Sequence, residues 1–400
     1  MNQSLRTQSR VQILAAFGAS DAVAAELAAY NGPPEWDEQA LTRFLQAGLP
    51  LSSEASVTIW REWAEQAHDQ GVWPVLRSCL PQLAFPIAAG MSQDPDYRAA
   101  TLRGQPVTEL AGAEGLILRS PETLTLHLHQ GLGGAVPVIT APDRHDFTCL
   151  VRALAKRNEP KPLPDSMGAI MISGLANWAR IHRFRENWEA RHPDGDFADT
   201  GMPEMLQDKA HYCDRLIILG ESPYSNVPAD QLTLMGEPLD QADWLRRSRL
   251  LRLEHEATHY AVLRLLGFMR TNLHDELLAD FMGICAAAGS FQPTWFLTFL
   301  GLERAPVYRE GGRFQNYCAD LSQAARAVLA ALVVSAAEQV ARFDRAENGG
   351  WDGAFGRATT LLSMAVHSLE EIAAPDGAER LAAKKKTFDV LLRNPSPCPV

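Results

Sequence analysis

The chain has 400 residues, 46% of them hydrophobic and 21% charged, an ordinary balance for a folded globular protein and enough length for one enzyme-sized unit or two domains. A formal net charge of −11 excludes a protein built mainly to grip phosphate backbones, which needs a basic face. Six cysteines without a C-x-x-C pair, no apolar leader after the polar residues 1–10, and a longest apolar run (328–337) well short of the ~20 residues of a bilayer span predict a cytoplasmic protein with no membrane and no nucleic-acid partner.

Apolar positions recur at helical spacing from 11 to 30, where Asn31-Gly32-Pro33-Pro34 stops the run. Further helices are predicted over 38–47 and over 57–70, the latter behind Ser52 and Ser53 as caps. Between 106 and 140 the pattern changes, and Leu116-Ile117-Leu118, 124–129 and 136–139 read as short strands. Three prolines among charges in 157–165 mark the best linker, which divides the chain into a mixed α/β region over 1–160 and a mainly helical half over 161–400. In that half 169–175 and 215–219 are strand-like, while 240–266, 272–288, 321–343 and 354–372 are helical. The predicted class is α+β. The basic run Lys384-Lys385-Lys386 reads as a solvated helix face, and 394–399 as a frayed tail.

The chemistry concentrates in one helix. Residues 240–266 contain no proline or glycine and are closed by Gly267, so His255-Glu256-Ala257-Thr258-His259 is helical. Histidines four apart share a face and can converge on one cation, with Glu256 beside them to take a proton from water. The pentapeptide arises by chance in roughly one such chain in fifty, so the acidic residues downstream of it carry the weight. Zinc needs three protein donors and an open position for hydrolysis, and Glu276 is placed to be the third. Gly267 turns the chain, and a helix capped near Asn272 brings Glu276 back towards the histidines. Asp280, one turn later on the same face, can accept the Nδ1 proton of a liganding histidine. His274 is a rival third ligand, and Asp275 reads as a partner for the helix N-terminus.

The pattern from His255 to Asp280, H-E-x-x-H followed by D-E-L-L-A-D, resembles the gluzincin metallopeptidases, and the chain as a whole resembles an uncharacterised bacterial HExxH family. The resemblance implies His255, His259 and Glu276 as ligands of one Zn2+ ion, Glu256 as general base and Asp280 as the residue that orients a ligand. It also implies a strand before the active helix that holds extended substrate; 215–219 is either that strand or an ordinary core strand. The expected function is metal-dependent hydrolysis of a peptide or small amide; the alternative is a non-catalytic binding or scaffold protein with a structural metal.

Other constellations carry less. Tyr308, Arg309, Arg313 and Tyr317, around a Gly-rich segment, are candidates for stabilising an oxyanion, but read better as a surface loop with a buried tyrosine anchor. His127 and His129 share a strand face without an acidic or cysteine partner, which favours a half-exposed face over a metal site.

Overall fold

A computed structural model of the chain describes residues 3–32, 41, 48–113, 115–270, 272–347 and 353–393. These form two compact units interleaved in sequence, a helical unit (Met1–Leu51, Gly131–Gly133 and Pro223–Val400) and a sheet unit (Ser52–Gln130 and Gly134–Ser222). The proline-rich stretch 157–165 runs inside the sheet unit rather than between two domains. The helix expected over 11–30 is two helices, α1 (Gln3–Ala16) and α2 (Asp21–Asn31). Gly18 at φ 83° breaks the run, and Ser20 caps the second helix by accepting from the Val23 amide at 3.4 Å. The helix expected over 38–47 falls, apart from Leu41, outside the described residues.

In the sheet unit, α3 (Val57–Gln70), α4 (Val72–Cys79) and α5 (Pro95–Arg103) precede β1 (Thr125–Gly131) and β2 (Gly134–Ala141). After them come α6 (Arg144–Ala155), β3 (Ala169–Ala176), α7 (Trp178–Arg191), α8 (Met202–Gln207) and β4 (Cys213–Gly220). The strand order is β1-β2-β4-β3. Strand β2 runs parallel to β4, with Val138 opposite Ile217, and β3 runs antiparallel to it, with Ile170 opposite Ile218. One sheet therefore takes strands from both sides of residue 160. Every residue of β2 is buried, as a strand covered on both faces requires, while β1 is half-exposed and carries His127 and His129 in no metal-donor cluster among the described residues. Leu116-Ile117-Leu118 forms no strand: Leu116 is buried and Ile117 is 80% exposed, so the run is an anchored loop. Both edges of β4 are paired, so 215–219 is a core strand and cannot hold an extended substrate.

The helical unit continues with α9 (Gln241–Leu266), α10 (Leu273–Ala288), α11 (Pro293–Leu300) and α12 (Phe314–Tyr317). It ends with α13 (Gln323–Ala346), α14 (Gly353–Ala365), α15 (Leu369–Ala373) and α16 (Gly377–Arg393). The pattern over 354–372 is interrupted at 366–368, where Ser368 and Glu371 form a reciprocal capping box. Helix α13 is long and apolar enough to cross a membrane, but 61% of its apolar window is buried against helices of its own unit, which is how a core helix passes that test. Arg10 of α1 reaches α15, where Nη2 and Nε donate to Glu370 at 3.0 and 3.2 Å and Asn31 Nδ2 adds a bond at 2.8 Å, all fully buried. Cys79, Cys149, Cys213, Cys285 and Cys318 form no disulfides. The class is α+β, as the sequence predicts.

Candidate metal centre

Helix α9 begins at Asp240, whose side chain accepts from the Asp243 amide at 2.9 Å, and ends at Gly267 in the left-handed conformation, φ 79°. Helix α10 is capped by Asn272, which accepts from the amides of His274 and Asp275 at 3.1 and 3.2 Å. The two helices pack antiparallel: Glu276 meets His259, Asp280 meets His255, and Gly283 meets Leu251, one helical turn per step. A Cβ on Gly283 would stand 2.7 Å from the Leu251 carbonyl oxygen, so glycine is what lets the backbones approach this closely. Gly283→Ala is expected to force the helices apart at a cost of about 1–3 kcal/mol and to weaken metal binding, read by urea denaturation and zinc titration; unchanged values in both would remove glycine from the centre's construction.

Three donors converge where the helices cross. His255 Nε2 and His259 Nε2 are 3.1 Å apart, Glu276 Oε1 is 3.5 Å from His259 Nε2, and Glu276 Oε2 is 3.8 Å from His255 Nε2. Donors at zinc-bond length in a tetrahedron stand roughly 3.3–3.4 Å apart, and these separations bracket that value. All three side chains are buried, with His259 the most accessible at 9%. Glu276 Oε2 is a buried acceptor without a hydrogen-bond donor, in a cage of two imidazole nitrogens and a carboxylate. The Arg313 guanidinium offsets its charge from 3.5 Å without making a hydrogen bond, so the lone pairs of that oxygen are free for a metal ion. The donor set therefore fits a divalent metal ion, and the group His255, His259 and Glu276 could hold one. Among the described residues no fourth histidine, cysteine or carboxylate joins this cluster.

The surroundings fix the histidine. Asp280, fully buried, stands 2.8 Å from His255 Nδ1, accepts from the Tyr224 hydroxyl at 2.6 Å, and is paired with the Arg313 guanidinium. A carboxylate only accepts, so His255 Nδ1 carries the proton and Nε2 offers its lone pair to the centre. Burial opposes ionisation of Asp280, but the Arg313 charge and His255 outweigh it and hold the carboxyl below its ordinary value. Arg313 Nη1 also donates to Tyr224 Oη at 2.8 Å and lies 3.5 Å from Glu276 Oε2. Tyr317 lies close enough to Glu276 to feel its charge; burial first, then that negative charge, keeps it a phenol.

Other predicted residues divide cleanly. Glu256 is half-buried next to His255, with its carboxylate close enough to act on His259. His274 turns away, its Nε2 3.2 Å from the Met364 carbonyl oxygen, and is not a ligand of this cluster. Asp275 lies in the first turn of α10, where it accepts from the Arg270 amide. Arg309 is a surface residue paired with Glu303 at 3.1 Å, and Tyr308 packs on Phe314, as a loop with an aromatic anchor does. Arg313 and Tyr317 are different: they are built into the centre.

Tyr224 has no signal in its own neighbourhood, a loop that follows β4 with Ser225 and Asn226 at positive φ. Its signal lies on α9. Ser248 Oγ accepts from the Tyr224 amide at 3.0 Å, and Arg252 Nη2 donates to the Pro223 carbonyl at 2.8 Å and stacks over the Tyr224 ring. Ser248, Arg252, His255 and His259 form a polar stripe at helical spacing, all buried, and such a stripe needs partners from another segment.

The profile of DUF7005, described as a family of unknown function, matches residues 12–376 and so takes in both units and every residue of the centre. The chain belongs to DUF7005. No curated protein and no solved structure matches it. For this DUF7005 member, what the centre can do rests on its own geometry.

Without metal, burial works against a charged His259, but the Glu276 carboxylate beside it, with Glu256 and Asp275 beyond, prevails and lifts the imidazole to about 9. Burial likewise opposes a charged Glu276, yet His259, His255 and Arg313 hold it well below the ordinary carboxylate range. A raised histidine stabilises the metal-free fold below its unfolded value of 6.5, and that contribution is lost as pH rises through about 9. A cation must displace the same proton. Affinity for a divalent metal ion is therefore expected to rise about tenfold per pH unit between about 6.5 and 8.5, measured by competition with a chelating dye; a flat profile would mean His259 is already neutral.

Proposed function

We propose that this protein is a zinc-dependent hydrolase that cleaves a peptide or small amide bond, with Glu256 as general base. The observation that carries the reading is the three-donor cluster with no fourth histidine, cysteine or carboxylate among the described residues, the composition of a catalytic rather than a closed structural zinc site. The order H-E-x-x-H, then Glu276, then Asp280 one turn later, supports a gluzincin-like peptidase. Zinc bound there would supply Lewis acidity, polarising a carbonyl and making water easier to deprotonate. Glu256 stands next to the ligand helix face yet reaches solvent, so its carboxylate can take a proton from water and return it to the leaving nitrogen. Asp280 holds His255 in one tautomer, and Arg313 and Tyr224 hold Asp280.

Burial of all three donors favours a second reading, in which the metal clips α9 to α10 and turns nothing over. Metal quantification on the purified chain, joined to a peptide-library cleavage screen with chelator controls, separates the two. One bound ion and chelator-sensitive cleavage support the hydrolase; one ion, no cleavage and a large fall in thermal stability on chelation support the clip.

A further inference from the structure

A second site lies in the sheet unit, away from every residue of the metal centre in sequence and owing nothing to the hydrolase reading. A cavity of about 590 Å³ is lined by the seven consecutive residues 170–176 of β3, by α5 and by the end of α6 with the residues after it. Side chains of a strand alternate between its two faces, so a cavity on one face would be lined by every second residue. Seven in a row means that this one runs along the backbone edge, over roughly 23 Å.

That edge is open. Strand β3 is terminal in the sheet, and among the described residues it pairs only with β4. The register shifts between Ser173 and Leu175, and Gly174 bulges outward at φ 87° with nothing within 4 Å of where a Cβ would stand. Across the groove, Leu102 is 59% exposed, an apolar side chain beside an unpaired row of amides and carbonyls. Natural sheets blunt such edges, and one left open beside a cavity is a template for another strand.

The charged side chains that line the groove are basic, and the Glu159 carboxylate beside Ser92 is held by the Gly90 and Ser92 amides at 3.1 and 2.8 Å. Arg98 and Arg157 line the groove, none of the lining residues is acidic, and among the described residues neither guanidinium has a hydrogen-bond partner. Arg157 is held there by a left-handed backbone, φ 54°, an uncommon conformation for a residue other than glycine. We infer that this groove docks an extended, acidic peptide segment, which adds a strand to the free edge of β3 while its carboxylates meet Arg98 and Arg157. The length of the groove and its backbone wall fit a strand better than a compact anion.

The test uses the 400-residue chain and a labelled hexapeptide of alternating valine and aspartate, with a control peptide carrying asparagine for each aspartate. Fluorescence anisotropy should give saturable binding that weakens with salt, and that is at least about tenfold weaker for the control peptide and for the Arg98→Gln/Arg157→Asn double variant. Asparagine tolerates the left-handed backbone at 157, and Leu102→Glu, on the exposed wall, should weaken binding independently. Hydrogen exchange of the 170–176 amides should slow on binding. Equal affinity for both peptides, no binding at millimolar peptide, unchanged exchange in β3, or loss of binding on chelation, which would move the peptide to the metal centre, would each overturn the proposal.

Discussion

Glu256→Gln is expected to keep one metal ion per chain and to lose peptide turnover by about 10²–10⁴-fold, the usual worth of a positioned general base. The amide side chain has nearly the same shape as the carboxylate but cannot accept a proton, and Glu256 is not among the three converging donors. His259→Ala should lose both metal and turnover, since it deletes one of those three donors and leaves only His255 and Glu276 to hold an ion. The two variants together distinguish base from ligand. Metal content by elemental analysis and single-turnover cleavage measure the outcome, and wild-type rates for Glu256→Gln would end its proposed role.

Arg10→Met is expected to destabilise the helical unit by about 3–5 kcal/mol, because it leaves a buried carboxylate without its cation. Arg10 and Glu370 are 3% and 0% exposed, and with the arginine gone Asn31 Nδ2, at 2.8 Å, is the side-chain donor left to Glu370 among the described residues. The double variant Arg10→Met/Glu370→Leu should recover most of the loss, since removing both charges also removes the cost of burying them. Equilibrium urea denaturation reads both. A single variant within 1 kcal/mol of wild type would mean that water reaches Glu370 once the arginine is gone.

The HExxH helix is legible in the sequence because everything that defines it is local: Asp240 and Gly267 at its ends, no breaker between, and two histidines four residues apart. The helix carrying Glu276 is legible for the same reason, from Asn272 as its cap and a proline-free stretch behind it, and β2, β3 and β4 from short apolar runs. Even the break at Gly18 has a local cause, a glycine free to take positive φ, although helical spacing on both sides conceals it. What a few neighbouring residues decide, through dihedral preference, capping and periodicity, can be read in order along the chain.

Tertiary structure decided the rest. Tyr224 and Arg313 stand 31 residues before and 58 after His255 by number, and only packing brings them to Asp280. Arg10 finds Glu370 across 360 positions. Strand order made β4 central, so the segment that the resemblance offered as a substrate strand is core, and it left β3 at the edge with an open row of backbone groups. By propensity alone Gly283 is a weak point in a helix, and only the Leu251 carbonyl packed against it gives it a reason. Each of these depends on which surfaces bury one another, a choice made by the summed free energy of many distant contacts and written in no single stretch of sequence.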